Sequence, residues 1–515
     1  MVGSILPDQC KRFERRTEVT AASGGRIAKG AVWMVGARMA DRFIGVVSTI
    51  VLARLLTPAD FGLVAMAMSV IGLIELASAF GFEVSLLRTA SPTRAQYDTV
   101  WTLNVLFGVG CGVAMAIAAL PTAHYYADDR LIKIMLVLAT SWVISSFGNV
   151  GIVDFQRTLN FAKEFQILMA KRFIGFAVTI GLAVMTGSYW ALIAGSVTMR
   201  MTELALSYLW HPYRPRFSLA ASRGIFSFSI WIFVYKLAAF GNVRAADFVL
   251  GRVRGAAELG VYRLGEEIGH LPGTELIAPL NRALLPGMSQ MIEGGRPTRE
   301  LVLAATGIVA VMLFPACLGI SAIADPLVRV MLGTKWLQTV PVLQVMALNA
   351  VFVALWANQH TMLFAVGSPK LPALVSIARL FVFTPSVFLV VGEFGAQGVA
   401  QAALVSSVFS LGLGLFVGLP LLGVRFIEYL GSIWRPALAA MLMWAAVRWT
   451  IGAMEQATSM SLESVRLAAA VATGIAAYGG ALAGLYLICG RPEGAEKLLI
   501  DRFAPRLRAL VRMPK

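Results

Sequence analysis

The sequence predicts an all-α, polytopic membrane protein of about 14 transmembrane helices, built from two related halves and a C-terminal extension. Three observations predict it: a composition too apolar for a soluble globule, a regular succession of apolar spans, and a gap-free internal repeat. Of the 515 residues, 58% are hydrophobic and 14% charged, with a mean hydropathy of +0.75. Soluble chains carry roughly 25% charged residues, so this one has too little polar surface to cover its apolar bulk.

About 20 apolar residues cross a bilayer, and runs of that length lie near 30–53, 61–84, 99–120, 134–153, 166–186, 189–210, 225–249, 259–287, 300–323, 340–366, 371–391, 397–420, 434–452 and 466–489. The run at 259–287 is irregular. Glu266, Glu267, His270, Pro272, Pro279 and Arg282 interrupt it, which predicts a broken helix or one facing a water-filled cavity. The repeat runs from Trp33 through Gly62 and again from Trp231 through Gly260. Arg38 aligns with Lys236, Leu52 with Leu250, Arg54 with Arg252, Asp60 with Glu258. Duplicated helix pairs with cations inside the span are a mark of transporters built from repeated halves.

The net charge of +16 does not point to nucleic acid. Most Lys and Arg sit in short segments between spans, as positive-inside topology requires. The segments with Arg88 and Arg94, Arg157 and Lys163, Arg214, Arg216 and Arg223, Arg296 and Arg299, and Arg425 and Arg435 fall on one side. That arrangement places both termini inside. The polar N-terminal tail, with Lys11, Arg12, Arg15 and Arg16, has no apolar core before about residue 30, so the first span is read as a retained helix and not a cleaved leader. The tail from about 494 to 512 mixes Leu498, Leu499, Phe503, Leu507 and Leu510 with Arg and Lys; it reads either as an amphipathic surface helix or as a solvated anchor. Cys10, Cys111, Cys317 and Cys489 are scattered without a CxxC pair, so neither a disulfide framework nor a metal site is expected. No G-x-x-x-x-G-K-[ST] loop occurs, so transport would draw on a gradient and not on ATP bound by this chain. No catalytic residue and no cofactor is expected.

Charges inside the spans are the candidate site, because an ionised side chain in a bilayer costs at least ~3 kcal/mol unless it faces a polar cavity or a partner. Arg38, Asp41 and Arg42 share one helix face at i, i+3 and i+4. Two cations against one acid leave positive charge over, so Arg38 and Arg42 are read as contacts for an anionic substrate, with Asp41 orienting them; the alternative is an interhelical ion pair. Lys236, Arg244 and Asp247 return to nearly one face of the seventh span. Lys236 and Arg244 are read as the second cationic face, suited to phosphate or pyrophosphate. Glu75, Glu83, Glu266 and Glu267, with Asp247, either couple transport to protons or sodium or balance the arginines. Arg54 and Arg252, at the ends of the repeated helices, are read as gate or turn residues that snorkel or meet carbonyls.

These residues resemble the bacterial oligosaccharide flippase (polysaccharide transporter) family of the multidrug/oligosaccharidyl-lipid/polysaccharide exporter superfamily. L-A-R-L-L-T-P-A-D-F-G-L-V at 52–64 is similar to its first-loop motif, and L-G-V-Y-R-L at 259–264 to the second-half counterpart. F-P-A-C-L-G-I-S-A-I-A-D-P-L-V-R-V-M-L-G-T-K-W at 314–336 and P-V-L-Q-V-M-A-L at 341–348 resemble its ninth and tenth helices. The resemblance implies pseudo-symmetric six-helix bundles at 30–210 and 225–420, a cytoplasmic linker at 211–224, two additional helices within 421–489, and cytoplasmic tails at 1–29 and 490–515. It implies a multi-pass protein of the bacterial cytoplasmic membrane that moves an undecaprenyl-diphosphate-linked oligosaccharide across it by alternating access, for exopolysaccharide, capsule or O-antigen synthesis. Its partners would be that lipid-linked substrate, membrane lipid, and a polysaccharide polymerase with export machinery. One departure stands out: Gly255-Ala256-Ala257-Glu258 lacks a counterpart to Pro58. The alternative is an ion-coupled drug or metabolite antiporter of the same superfamily, which the surplus of cations and the two extra spans disfavour. A polymerase or glycosyltransferase is disfavoured by the lack of a large loop with paired acids.

Overall fold

The computed structural model describes residues 39–78, 92–158, 160–220, 230–277, 298–368, 370–454 and 460–490, with a few isolated positions beside them. Among these residues every regular element is helical. Eight helices have the length and hydropathy to cross a membrane, nine if one bent pair counts as a span. The chain is a multi-pass membrane protein. Arg38, Glu83 and both tails lie outside the described residues.

The helices follow the expected spans and differ from them where glycine bends the chain. In order they are α1 at 39–55, α2 (Pro58–Ser78), α3 (Arg94–Tyr126), α4 (Arg130–Ser146), α5 (Val153–Arg157), α6 (Phe161–Thr186) and α7 (Trp190–Trp210). Then come α8 (Ile230–Gly269), α9 (Thr298–Ala322), α10 (Ala324–Met331), α11 (Thr339–Ala365), α12 (Lys370–Leu421), α13 (Phe426–Ala453) and α14 (Met460–Ile488). Two of these each hold two expected spans. α8 kinks at Gly255, whose φ of 82° lies in the left-handed region, and α12 kinks at Gly395, with φ 52°. Only glycine takes such angles without strain, so one continuous helix turns back at each. The run at 259–287 is indeed interrupted: α8 stops at Gly269, and a π-helical turn follows at Gly273–Ile277.

The chain divides into two compact units. One holds residues to Leu56 together with Val70–Ser227; the other holds Thr57–Ser69 and everything from Phe228. The first part of α2, Pro58–Ser69, therefore belongs with the second unit. In the first unit α3 packs on α4, and α6 on α7. The fourth span is bent by 66° between α4 and α5. Asn149 fixes the bend: its side chain accepts from the Gly151 amide at 2.9 Å and donates to the Tyr213 carbonyl at 2.7 Å. The segment after α7 is strapped across this end. Ser218 N–H donates to Thr102 at 3.0 Å, Arg216 N–H to Asp98 at 3.1 Å, and the Tyr213 hydroxyl to the same Asp98 carboxylate. His211 lies 3.5 Å from Asp154, and burial, opposed by Asp154, holds its imidazole below the ordinary histidine range.

In the second unit the core lies among α9, α11, α12 and α13, where Val309, Leu313, Cys317 and Ala440 are sealed from solvent. The Tyr478 hydroxyl donates to the Val311 carbonyl at 2.8 Å and ties α14 to α9. At the start of α14, Glu463 and Arg466 are buried, and Arg466 donates to the Ile451 carbonyl at 2.9 Å.

Candidate functional site

The first unit threads ion pairs between its helices. Asp41 on α1 pairs with Arg172 on α6 at 3.0 Å, both about 30% exposed. The expectation set Asp41 against the arginines of its own helix; its partner in this pair is on α6, a residue the sequence left without a role. Gly45 gives the Arg172 guanidinium room, since a Cβ there would lie 2.8 Å from it. Arg42 is exposed. Glu75 on α2 meets Arg200 on α7 at 3.4 Å. Lys171 on α6 meets Glu203 on α7 at 2.7 Å. Arg200 also stacks over the Trp142 ring of α4, 4.2 Å from its centroid. Pairing is what membrane burial of these charges requires.

The second unit gathers its charges on α8, and one of them was not singled out from the sequence. Arg244 pairs with Asp247 at 3.1 Å. Arg263, on the far side of the Gly255 kink, reaches back to the same fully buried carboxylate and to Glu266, and donates to the Val243 carbonyl at 3.1 Å. The kink folds α8 on itself and brings residues sixteen apart together. Asp247 and Glu266, read as coupling acids, are thus both clamped by Arg263, and Arg244 shares the clamp. Glu267 is exposed and Lys236 half-buried. Beyond the clamp, His270 lies 3.2 Å from Asn349 on α11.

The repeated turn closes on its own copy. In the first copy Asp60 caps the turn, accepting from the Thr57 amide at 2.9 Å and its hydroxyl at 2.6 Å. That turn lies against the second copy, both within the second unit. A Cβ at Gly62 would fall 1.7 Å from the Ala256 carbonyl, and one at Gly260 would fall 1.8 Å from the Pro58 carbonyl. Two glycines at matching repeat positions let the backbones touch. Phe61 meets Trp336 edge-on at 5.3 Å beside this crossing. Arg54 is exposed at the end of α1, and Arg252 is exposed on α8 three residues before the Gly255 kink.

Residues 51–341, from the last turn of α1 into α11, match the polysaccharide biosynthesis protein family. The chain belongs to that family. It is 24% identical over 79% of its length to the lipopolysaccharide biosynthesis protein WzxC of Escherichia coli, covering 84% of that protein. It is 24% identical to the teichuronic acid biosynthesis protein TuaB of Bacillus subtilis, over 92% of this chain and 98% of that one. The succinoglycan biosynthesis transport protein ExoT of Rhizobium meliloti is 22% identical over 63% of this chain and 66% of its own. The fold is that of the lipid II flippase MurJ in an inward closed conformation, with a TM-score of 0.70 at 11% identity, covering 89% of this chain and 99% of that one. The stretch matched to the family contains the repeated turns, the Asp247–Arg263 clamp and the Lys171–Glu203 and Glu75–Arg200 pairs. Of the residues the sequence missed, Arg263 left one signal, its i, i+3 spacing from within the second motif to Glu266 just beyond it.

Proposed function

We propose that this protein is a flippase that moves an undecaprenyl-diphosphate-linked oligosaccharide across the bacterial cytoplasmic membrane for polysaccharide assembly. The observation that carries the reading is charge held inside apolar helices at the first helix of each repeat, α1 and α8, in a chain whose family builds polysaccharides. A lipid tail needs no such charges; a diphosphate headgroup crossing the hydrocarbon does, because its desolvation must be offset by cations held in place beforehand. Arg38, Arg42 and Lys236 contribute those cations, and the half-buried Asp41–Arg172 pair and the buried Asp247–Arg263 clamp each brace the helix that bears them. The touching turns at Gly62 and Gly260 are the gate, flanked by Arg54 and Arg252. Both termini are cytoplasmic, and the polymerase and export machinery act on the delivered substrate.

The test is reconstitution in liposomes with a fluorescent lipid-diphosphate oligosaccharide and an outer-leaflet accessibility assay. Transfer from inner to outer leaflet is expected; export of small cations without lipid transfer would replace this reading with that of an antiporter. Arg38→Ala and Lys236→Ala are each expected to abolish polymer production in cells while leaving folded protein in the membrane. Normal polymer from both variants would refute the cationic route.

A further inference from the structure

The bend of the fourth span opens a cavity of about 380 Å³ inside the first unit, bounded by α3, α4, α7 and the Gly148–Ile152 turn. Its size falls at the low end of small-molecule sites, which run from roughly 300 to 1,000 Å³. It sits where the helical ladder is interrupted, and irregular backbone at membrane depth persists where it lines a cavity.

The lining selects among ligands. Ser145, Ser146 and Ser207 turn their hydroxyl hydrogens to backbone carbonyls of Trp142, Val143 and Leu204 at 2.7–2.8 Å. The Ser145 and Ser146 hydroxyl oxygens are left with lone pairs as acceptors, while that of Ser207 accepts the Asn149 amide at 3.0 Å and holds the bend. Asn104, Arg200 and Glu203 add donors and acceptors of both kinds. Phe82, Phe107 and Trp142 supply flat apolar walls. A lipid tail does not suit so polar a lining. A phosphate does not suit it either, because Arg200 is matched by Glu75 and the Glu203 carboxylate faces the same space. A cation is opposed by the Arg200 guanidinium, and Lys171 already meets Glu203 at 2.7 Å. What fits is an uncharged ring that carries many hydroxyls and has apolar faces.

We propose that this cavity is a saccharide subsite, which takes a short stretch of sugar rings against Trp142 and the serine-lined bend. The inference rests on the flippase reading and adds to it: cations hold the diphosphate, and a separate, electrically balanced cavity reads the glycan. Aromatic faces with planar polar side chains would give the protein a preference for sugar-bearing lipid over bare lipid diphosphate.

The experiment measures binding to the full-length protein in lipid nanodiscs. One probe is undecaprenyl diphosphate without sugar; the other is the same lipid carrying the oligosaccharide extracted from the source strain. Wild type is expected to bind the sugar-bearing probe at least tenfold more tightly. Trp142→Leu, which removes the wall, and Leu204→Trp, which fills the cavity, should each erase that preference while leaving affinity for the bare lipid unchanged. Gel filtration and melting curves identify any variant that fails to fold. Equal wild-type affinity for the two probes, or a preference retained by a folded variant of either kind, overturns the saccharide subsite and leaves the flippase reading standing. Wild type that binds neither probe overturns the flippase reading itself, and the subsite with it.

Discussion

Gly260→Ala is the sharpest test of the paired turns. The added methyl carbon would lie 1.8 Å from the Pro58 carbonyl oxygen and 3.0 Å from the Gly62 amide nitrogen. Ordinary contact begins near 3.5 Å, so the two backbones must part by roughly 1.5–2 Å. The obstructing atoms are main chain and have no rotamer to escape into. Overpacking of this kind costs about 1–3 kcal/mol, which shifts the balance towards any state with the turns apart by roughly 5- to 150-fold. The assay is labelling of Ala256→Cys by a membrane-impermeant maleimide, in protein whose native cysteines have been replaced. Residue 256 is half-buried, with its carbonyl over Gly62, so labelling should accelerate severalfold in the Gly260→Ala background. Polymer production should fall, because a gate that does not close leaks its cargo backwards. An unchanged labelling rate in well-expressed Gly260→Ala protein would refute the claim that these glycines set the contact.

Two further outcomes follow from the buried charges and the strap. Asp247→Ala should lower stability by at most about 3–5 kcal/mol, the usual penalty for breaking a buried ion pair, since Glu266 still holds Arg263. The loss is seen as a drop in melting temperature, and Asp247→Asn, which keeps an acceptor for Arg263, should lose less. His211 has its imidazole value depressed, chiefly by burial. The folded strap therefore binds fewer protons than the unfolded chain, and its stability is complete above about pH 6.5 and is lost as the pH falls below that value. Melting curves between about pH 7.5 and 5.5 should show this decline in the wild type and a flatter profile in His211→Asn.

The spans were legible because a bilayer imposes a length and a polarity that any hydropathy window registers. α9, α11 and α12 stand close to where the sequence put them. Among the described helices, α7 and α8 fall short of that measure because they carry the charges. The pairings were hidden for a different reason. Helical spacing shows which residues share a face, but the partner of Asp41 is on α6 and that of Glu75 is on α7, and only packing sets how two helices are rotated against each other. Arg263 shows the same limit within one helix: its meeting with Asp247 depends on the Gly255 kink. The bend of the fourth span was missed because its apolar run, 134–153, continues across Gly148 and Asn149 without a proline or a charged residue.

The missing counterpart of Pro58 now has a structural account. In the first copy of the turn, proline starts α2 and the short Asp60 carboxylate closes back on Thr57, three residues away. The turn is self-contained. In the second copy Glu258 is one methylene longer, and its carboxylate serves a distant neighbour: it accepts from the Ala396 amide at 3.0 Å and pairs with Arg254 at 3.0 Å. A side chain on Gly395 would fall 2.2 Å from that carboxylate, so the glycine that bends α12 also makes room for Glu258. The kinks of α8 and α12 are thereby latched together. One copy of an ancestral turn keeps its own cap and presents a glycine to its twin; the other has exchanged that cap for a bond to the next kink. Within the second unit, parting the Gly62–Gly260 contact therefore leaves the Glu258 latch intact, and the two turns are mechanically unequal despite their shared origin.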